Sequence, residues 1–388
     1  MNKTMLRFVV LSISFLSMAT TAASPALGDI SMVFSDASPN KIMLIVSLPA
    51  LLIIPFTLLC GKLSGFIPKR NLLFFGLILF LIGGVGPSFF NNLDIILVFR
   101  AILGVGMGFI MPLSTGLIAD FFEGHERGAM MGYQSAIVNI GGVVTSLIAG
   151  FLSAVDWHYT FYVYCIGLAV LMITFFKLPE PKKVEYASTE KTTLGGTVYS
   201  ISLILMLYGM LIFSFFTNTA ILITSENLGN AASAGIVITM MMAGGLVAGI
   251  IFGGVFKSLK QFTIPSSVIL TGLSFILLSY AQGFNLILAA ALAMGIGFGT
   301  TMPCVMINVA AAVPKSATTL ALAVAMSAMS LGQFVSPFAL SALGNLLGNT
   351  GGRFTFLLCG VGISIGGLAI LVKSIKPVEA AEPGKGRY

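Results

Sequence analysis

Charge is what this sequence has least of. Of its 388 residues only 9% are Asp, Glu, Lys or Arg, while 57% come from the apolar set AVILMFWYC, and the mean hydropathy is +1.03. A water-soluble domain gives about a quarter of its residues to charge, so this chain cannot cover a soluble surface and must turn most of its exterior to lipid. Apolar alternation over ~10-residue segments, the mark of a membrane β-barrel, is also missing. The apolar runs are instead continuous and long enough, at about 20 residues, for helices that cross a bilayer. The four cysteines (Cys60, Cys165, Cys304, Cys359) show neither CxxC spacing nor metal-ligand company, which excludes a zinc site and leaves small packing residues. There are only two histidines, His125 and His158, in loops on opposite sides of the map below. With no paired nucleophile and base and no Asp-rich diphosphate motif, the chain carries no enzymatic constellation, and no cofactor is expected. The net charge of +7 would suit nucleic acid, but its placement follows membrane topology.

Twelve apolar spans are expected at about 5–28, 41–61, 71–90, 95–119, 129–153, 160–177, 197–224, 232–256, 262–282, 286–310, 316–343 and 353–373. Most connections are short. The exception, 179–195, is polar, charged and opened by Pro179 and Pro181, and it separates a six-helix bundle over 1–178 from another over 196–376, with 377–388 as a tail. If the N-terminus is cytoplasmic, seventeen of the twenty basic residues fall on the cytoplasmic side. Only Lys41 and Arg353 fall on the other side, and Arg100 lies within a span. That is the bias of the positive-inside rule; it predicts a multi-pass plasma-membrane protein with both termini cytoplasmic. A cleaved leader ending near Thr20-Thr21-Ala22-Ala23 is the rival reading of the first span. It would leave eleven helices and an unpaired half.

The halves are related. Gly104-Val-Gly106-Met-Gly108-Phe-Ile-Met111-Pro112 in the fourth span matches Gly295-Ile-Gly297-Phe-Gly299-Thr-Thr-Met302-Pro303 in the tenth at one fixed offset. Ser135-Ala136 with Gly141 in the fifth span matches Ser327-Ala328 with Gly332 in the eleventh. Small residues let helices approach backbone to backbone, and proline permits bending, so Gly104, Pro112 and Pro303 are expected at moving interfaces. Secondary transporters are commonly built from such repeated halves with a binding site between them at mid-membrane.

Gly61-Lys62-Leu63-Ser64-Gly65-Phe66-Ile67-Pro68-Lys69-Arg70 resembles the signature loop of the major facilitator superfamily, G-x-L-a-D-r-x-G-r-k, at Gly61, Leu63, Lys69 and Arg70. The signature Asp is replaced by Gly65 and the second Gly by Pro68. Leu97-Val-Phe-Arg100-Ala-Ile-Leu-Gly104-Val-Gly106 is similar to the l-x-x-R-x-x-q-G-x-g pattern of proton-coupled exporters, with Leu103 in place of the usual Gln. Asp120-Phe-Phe-Glu123-Gly-His-Glu126-Arg127-Gly128 and Leu178-Pro179-Glu180-Pro181 are familiar from the same superfamily. In the fifth span Gly132 and Gly141 fit the drug-antiporter spacing, but its Gly-Pro pair is missing.

The resemblance implies an all-α fold of two pseudo-symmetric six-helix bundles working by alternating access, with Gly61, Leu63, Lys69 and Arg70 among the gating residues. It also implies a cavity lined chiefly by the first, fourth, seventh and tenth spans. The polar or adaptable residues at middle depth there are Thr20, Thr21, Met107, Met111, Gln134, Asn139, Tyr208, Thr217, Asn218, Met241, Met302 and Gln333. Thr217-Asn218-Thr219 is expected to interrupt the seventh helix. Arg100 is the one ionisable residue deep in a span, which makes it a functional candidate by default; all 13 acidic residues lie in loops or at helix ends. Asp29 is the candidate carboxylate for proton coupling, with Glu226 next, and Asp29 with Arg100 would form a protonation switch. The function so implied is a proton-coupled exporter of hydrophobic or amphipathic small molecules, resembling twelve-helix bacterial drug:proton antiporters. Its partners are then cargo, protons and the bilayer, not nucleic acid, and a monomer is expected. The alternatives are a carrier for a small organic anion bound by Arg100, since a guanidinium suits carboxylates, and a non-transporting membrane sensor.

Overall fold

Inside hydrocarbon a backbone amide has no water to bond, so each apolar run closes its own hydrogen bonds and becomes a helix. The computed structural model describes residues 3–181, 194–314 and 317–375; most of the expected linker and the whole C-terminal tail lie outside them. Among the described residues, eleven stretches are long and apolar enough to cross a membrane. One of them, Ala231–Tyr280, is 50 residues long and reverses between Leu259 and Thr263. It therefore crosses twice, which makes twelve spans. They are α1 (Lys3–Val33), α2 (Pro39–Leu63), α3 (Lys69–Phe89), α4 (Leu93–Phe121), α5 (Gly124–Ser153) and α6 (Trp157–Lys177), followed by α7 (Gly196–Ser225), α8 (Ala231–Leu259), α9 (Thr263–Tyr280), α10 (Phe284–Ala311), α11 (Thr318–Leu346) and α12 (Gly352–Ile375). We call the face where α1 begins proximal and the opposite face distal.

The repeated glycines do the same work in both halves. A Cβ on Gly104 would stand 2.7 Å from Pro49 O in α2, on Gly106 2.7 Å from Gly76 O in α3, and on Gly108 2.6 Å from Phe56 Cβ in α2. In α10, Gly295 presses on Met241 of α8, Gly297 would place a Cβ 2.8 Å from Ser267 O in α9, and Gly299 one 2.9 Å from Gly245 Cα in α8. The central helix of each half thus packs on the second, third and second helices of its own half in turn, with no room for a side chain at any contact.

The halves meet along α2 with α11, α5 with α8, and the distal end of α1 with α7. Towards the distal face the contact is tight. Gly150 and Gly235 are so close that a Cβ on either would lie 2.8 Å from the other's Cα, and a Cβ on Gly28 would lie 2.7 Å from Ala220 O. Nearer the proximal face no described glycine makes such an approach to the other half, and an added Cβ on Gly116, Gly132, Gly249 or Gly253 would meet no other atom within 4 Å. The close backbone approaches between the halves are therefore distal, and they form a seal at that face.

At the proximal face Arg7 Nη2 lies 2.6 Å from Glu126 Oε1 and joins the start of α1 to the start of α5. The Arg7 hydrogen bond holds the Glu126 carboxyl below its usual range. A depressed carboxylate contributes stability above its unfolded value, about 4.3, and loses it as pH falls through the folded value. Glu126→Gln should therefore flatten the acid side of the melting-temperature profile by a small amount, since the pair is solvent-exposed. An unchanged profile in a thermal-shift series from pH 7 to pH 3 would show that the pair adds nothing.

Candidate functional site

The first span does not run straight through the membrane. It is α-helical over Lys3–Ser14, 3-10 over Phe15–Thr21 and Ser24–Ala26, and α-helical again over Leu27–Val33. Tightening to 3-10 and the proline at 25 leave main-chain oxygens without their usual i+4 partners. Arg100 from α4 reaches into this break. Its Nη2 donates to Thr20 O at 2.9 Å, its Nε to Ile45 O in α2 at 2.7 Å, and its Nη1 to the Tyr164 hydroxyl in α6 at 2.9 Å. The guanidinium carbon also lies 5.1 Å from the Tyr164 ring centroid, a cation–π distance. The side chain is 0% exposed. A planar fork with donors on three nitrogens can join three helices at one point, which an ammonium cannot do with the same geometry.

Asp29 is not part of this cluster. It lies in the distal turn of α1, one residue beyond Gly28, and accepts a 3.4 Å hydrogen bond from Ser153 Oγ at the end of α5. Arg100 and Asp29 are therefore not joined in the distally sealed state. Glu226 is held by Arg353, whose Nε lies 2.7 and 2.9 Å from its two oxygens.

The expected interruption of the seventh helix is absent: α7 is continuous from Gly196 to Ser225. Thr217 donates to Ser214 O at 3.3 Å, Asn218 to Ser214 O at 3.1 Å and Thr219 to Phe215 O at 2.6 Å, so the polar side chains bond back along the helix and leave its backbone intact. The break belongs to α1 instead.

The remaining candidates divide by surroundings. Met107 and Met241 are 0% and 3% exposed and sit in the packed core in this state, whereas Met111 and Met302 are half-buried. Thr21 donates to Met18 O at 3.0 Å, and Tyr208 stands 3.3 Å from Thr271 within the second half. Gln134 in α5 donates to Ser114 and Thr115 of α4 at 3.2 and 3.0 Å. Asn139 donates to Ser135 O at 2.9 Å, and its Oδ1 would lie 3.1 Å from a Cβ on Gly245 across the gap between the halves. Gln333 is half-buried and its amide has no protein hydrogen-bond partner among the described residues. Pro112 and Pro303 lie inside α4 and α10.

The signature loop is tied down within its own half. Lys69 Nζ lies 2.7 Å from Asp120 Oδ2 at the end of α4, and Glu180, just after α6, accepts the backbone N–H groups of Lys69 and Arg70 at 2.8 and 3.1 Å. A carboxylate there satisfies the open amides at the start of α3 and sits at the favourable end of its dipole. Arg70 Nη2 donates to Phe175 O at 2.7 Å. Gly61 faces open space and Leu63 is half-buried. Tyr164, Asp120 and Glu180 were not among the residues expected to matter. Asp120 and Glu180 lie in segments similar to the superfamily's, Asp120–Gly128 and Leu178–Pro181, whereas Tyr164 has no local signal.

Two solved transporters have the same arrangement of helices. The D-xylose–proton symporter superposes with a TM-score of 0.75 over 95% of this chain and 97% of its own, at 18% identity. The inward-open xylose transporter XylE of E. coli gives 0.76 over 95% of each chain, at 16% identity. Among curated sequences, quinolone resistance protein NorA of Staphylococcus aureus is 28% identical over 272 residues, 67% of this chain and 69% of its own. Multidrug resistance protein 3 of Bacillus subtilis is 26% identical over 151 residues, 39% of this chain and 29% of its own. The sequence profile of the Major Facilitator Superfamily matches residues 9–217 and 201–387, once on each half and over nearly the whole length, and the chain belongs to that superfamily.

Proposed function

We propose that this protein is a proton-coupled exporter of hydrophobic or amphipathic small molecules. The observation that carries the reading is the similarity, across two thirds of the chain, to relatives named for quinolone resistance. The site chemistry agrees with it. Asn139 faces Gly245 of the other half; Gln333, Met111 and Met302 are half-buried, and methionine adapts to varied apolar ligands. The proximal face is taken as cytoplasmic, with both termini on it. The bundles 1–178 and 196–376 are then the two bodies that rock, and the form sealed at the distal face is the one that receives cargo from inside the cell.

Asp29 is assigned to coupling and Arg100 to holding the cavity wall. Asp29 flanks both parts of the distal seal: its neighbour Gly28 abuts α7, and its partner Ser153 lies three residues beyond Gly150. Opening that seal would bring water from the distal side to the carboxylate, which could then take up a proton for the return step. The anion-carrier alternative fits less well, because each nitrogen of Arg100 already donates to a protein acceptor.

The test is transport in sealed proteoliposomes with an imposed pH gradient and a panel of lipophilic cations and organic anions. Gradient-driven movement of the cations should fall more than tenfold in Asp29→Asn. Movement of anions alone, indifferent to the gradient, would replace the exporter reading with an anion carrier.

A further inference from the structure

Two cavities in the proximal part of the second half join end to end. The first, about 540 Å³, lies among α7, α9, α10 and α12, with walls such as Leu205, Val268, Val305 and Ile363. Ile204 and Leu207, 56% and 46% exposed, stand at its membrane-facing rim. The second, about 750 Å³, shares Ile264, Asn308 and Ile370 with the first and continues it to the proximal face. Its walls carry Lys257 and Lys260, and Lys373 borders the apolar cavity. No aspartate or glutamate lines either cavity, and none of the three lysines has a carboxylate partner among the described residues. Lys260 also takes φ 49°, a backbone conformation that costs a lysine more than a glycine.

The dimensions choose between anions. From Gly362 to Lys373, both on the wall of the apolar cavity, an α-helix rises about 16 Å, which is one leaflet of a hydrocarbon core about 30 Å thick. A soluble phosphate would use the lysines and leave that apolar length unfilled, whereas a molecule with a charged head and a tail one leaflet long would fill both. We propose that the paired cavities bind one anionic phospholipid of the proximal leaflet. Its phosphate sits among Lys257, Lys260 and Lys373, and one acyl chain lies in the apolar cavity. All of its walls come from the second half, including Tyr208, whose hydroxyl stands against Thr271 of that half.

Native mass spectrometry of the purified full-length protein tests this, titrated with phosphatidylglycerol, with phosphatidylcholine of the same chains, and with glycerol 3-phosphate. Wild type should retain phosphatidylglycerol at least tenfold better than phosphatidylcholine. A basic residue near a phosphate is worth about fivefold, so Lys257→Gln, Lys260→Gln and Lys373→Gln combined should weaken phosphatidylglycerol by roughly a hundredfold. Gly366 lines the apolar cavity, and a Cβ there would meet no atom within 4 Å, so Gly366→Leu fills the cavity at a position where helix propensity favours the change. It should weaken both lipids at least tenfold with an unchanged or raised melting temperature. The proposal falls if the two lipids are retained equally, or if the triple variant keeps the preference. It falls also if glycerol 3-phosphate displaces the lipid while Gly366→Leu has no effect, which would mean a soluble-phosphate site. Gly366→Leu that lowers cargo binding and spares lipid would mark a cargo vestibule instead.

Discussion

Arg100→Leu should lower stability by about 3 kcal/mol and abolish transport. The guanidinium is fully buried and serves Thr20 O, Ile45 O and the Tyr164 hydroxyl at 2.7–2.9 Å. Truncating it strands the Thr20 and Ile45 carbonyls, each at a cost of about 1–3 kcal/mol, and takes from the Tyr164 hydroxyl a charged partner worth about 1.5–3 kcal/mol. Against this stands the relief of no longer burying a charge, about 2.5–3.5 kcal/mol on insertion scales. The balance is destabilising, because the two carbonyls stay buried when the charge is gone. Arg100→Lys should recover only part of the loss, since an ammonium on an unforked stem cannot reach acceptors on three separate helices. Thermal unfolding in detergent and transport in vesicles read the two effects. A leucine variant that melts like wild type yet loses only anion movement would return Arg100 to the role of substrate ligand.

The second large effect is expected at the distal seal. Gly150 and Gly235 leave 2.8 Å between an added Cβ on one and the backbone of the other, so Gly150→Leu prevents closure there. The substitution favours the helix it sits in and damages only one of the two end states. We expect a folded protein that stays open to the distal face and transports more than a hundredfold more slowly. A reporter cysteine at Thr224, beside Gly28 in the seal, should be protected from a membrane-impermeant maleimide in the parent and labelled at least tenfold faster in the variant. Normal transport by Gly150→Leu would mean that the halves do not close through this contact.

Particular residues show what could be seen in the sequence in advance. Span count and the two-half plan were visible because lipid demands about 20 apolar residues per crossing, and because GxGxG followed by Met-Pro repeats at one offset. The pattern is readable since each glycine answers a local requirement, a backbone closer than any side chain permits. Arg100 was visible for the opposite reason, as the lone charge where charge is costly. Its partners were not visible, because Thr20, Ile45 and Tyr164 lie 80, 55 and 64 residues away and two of them offer only carbonyls, which every residue has. The same non-locality misplaced the broken helix. Thr217-Asn218-Thr219 read as an interruption, but hydroxyl and amide groups one turn on satisfy the helix rather than break it. The real break, at Phe15–Ala26, is stabilised from another span, with Pro25 as its one local mark.

The knot at Arg100 also sets an order on biogenesis. Its acceptors come from α1, α2 and α6, so when α4 leaves the ribosome the Tyr164 acceptor does not yet exist. For the time it takes to synthesise some sixty residues, the nascent chain must keep a half-bonded arginine in or near the insertion machinery. The guanidinium that bonds the broken first span is fully fixed only when the sixth is in place. Truncation after α4 should therefore yield a product held at the insertion site or degraded, whereas truncation after α6 should yield the first half as a self-sufficient bundle.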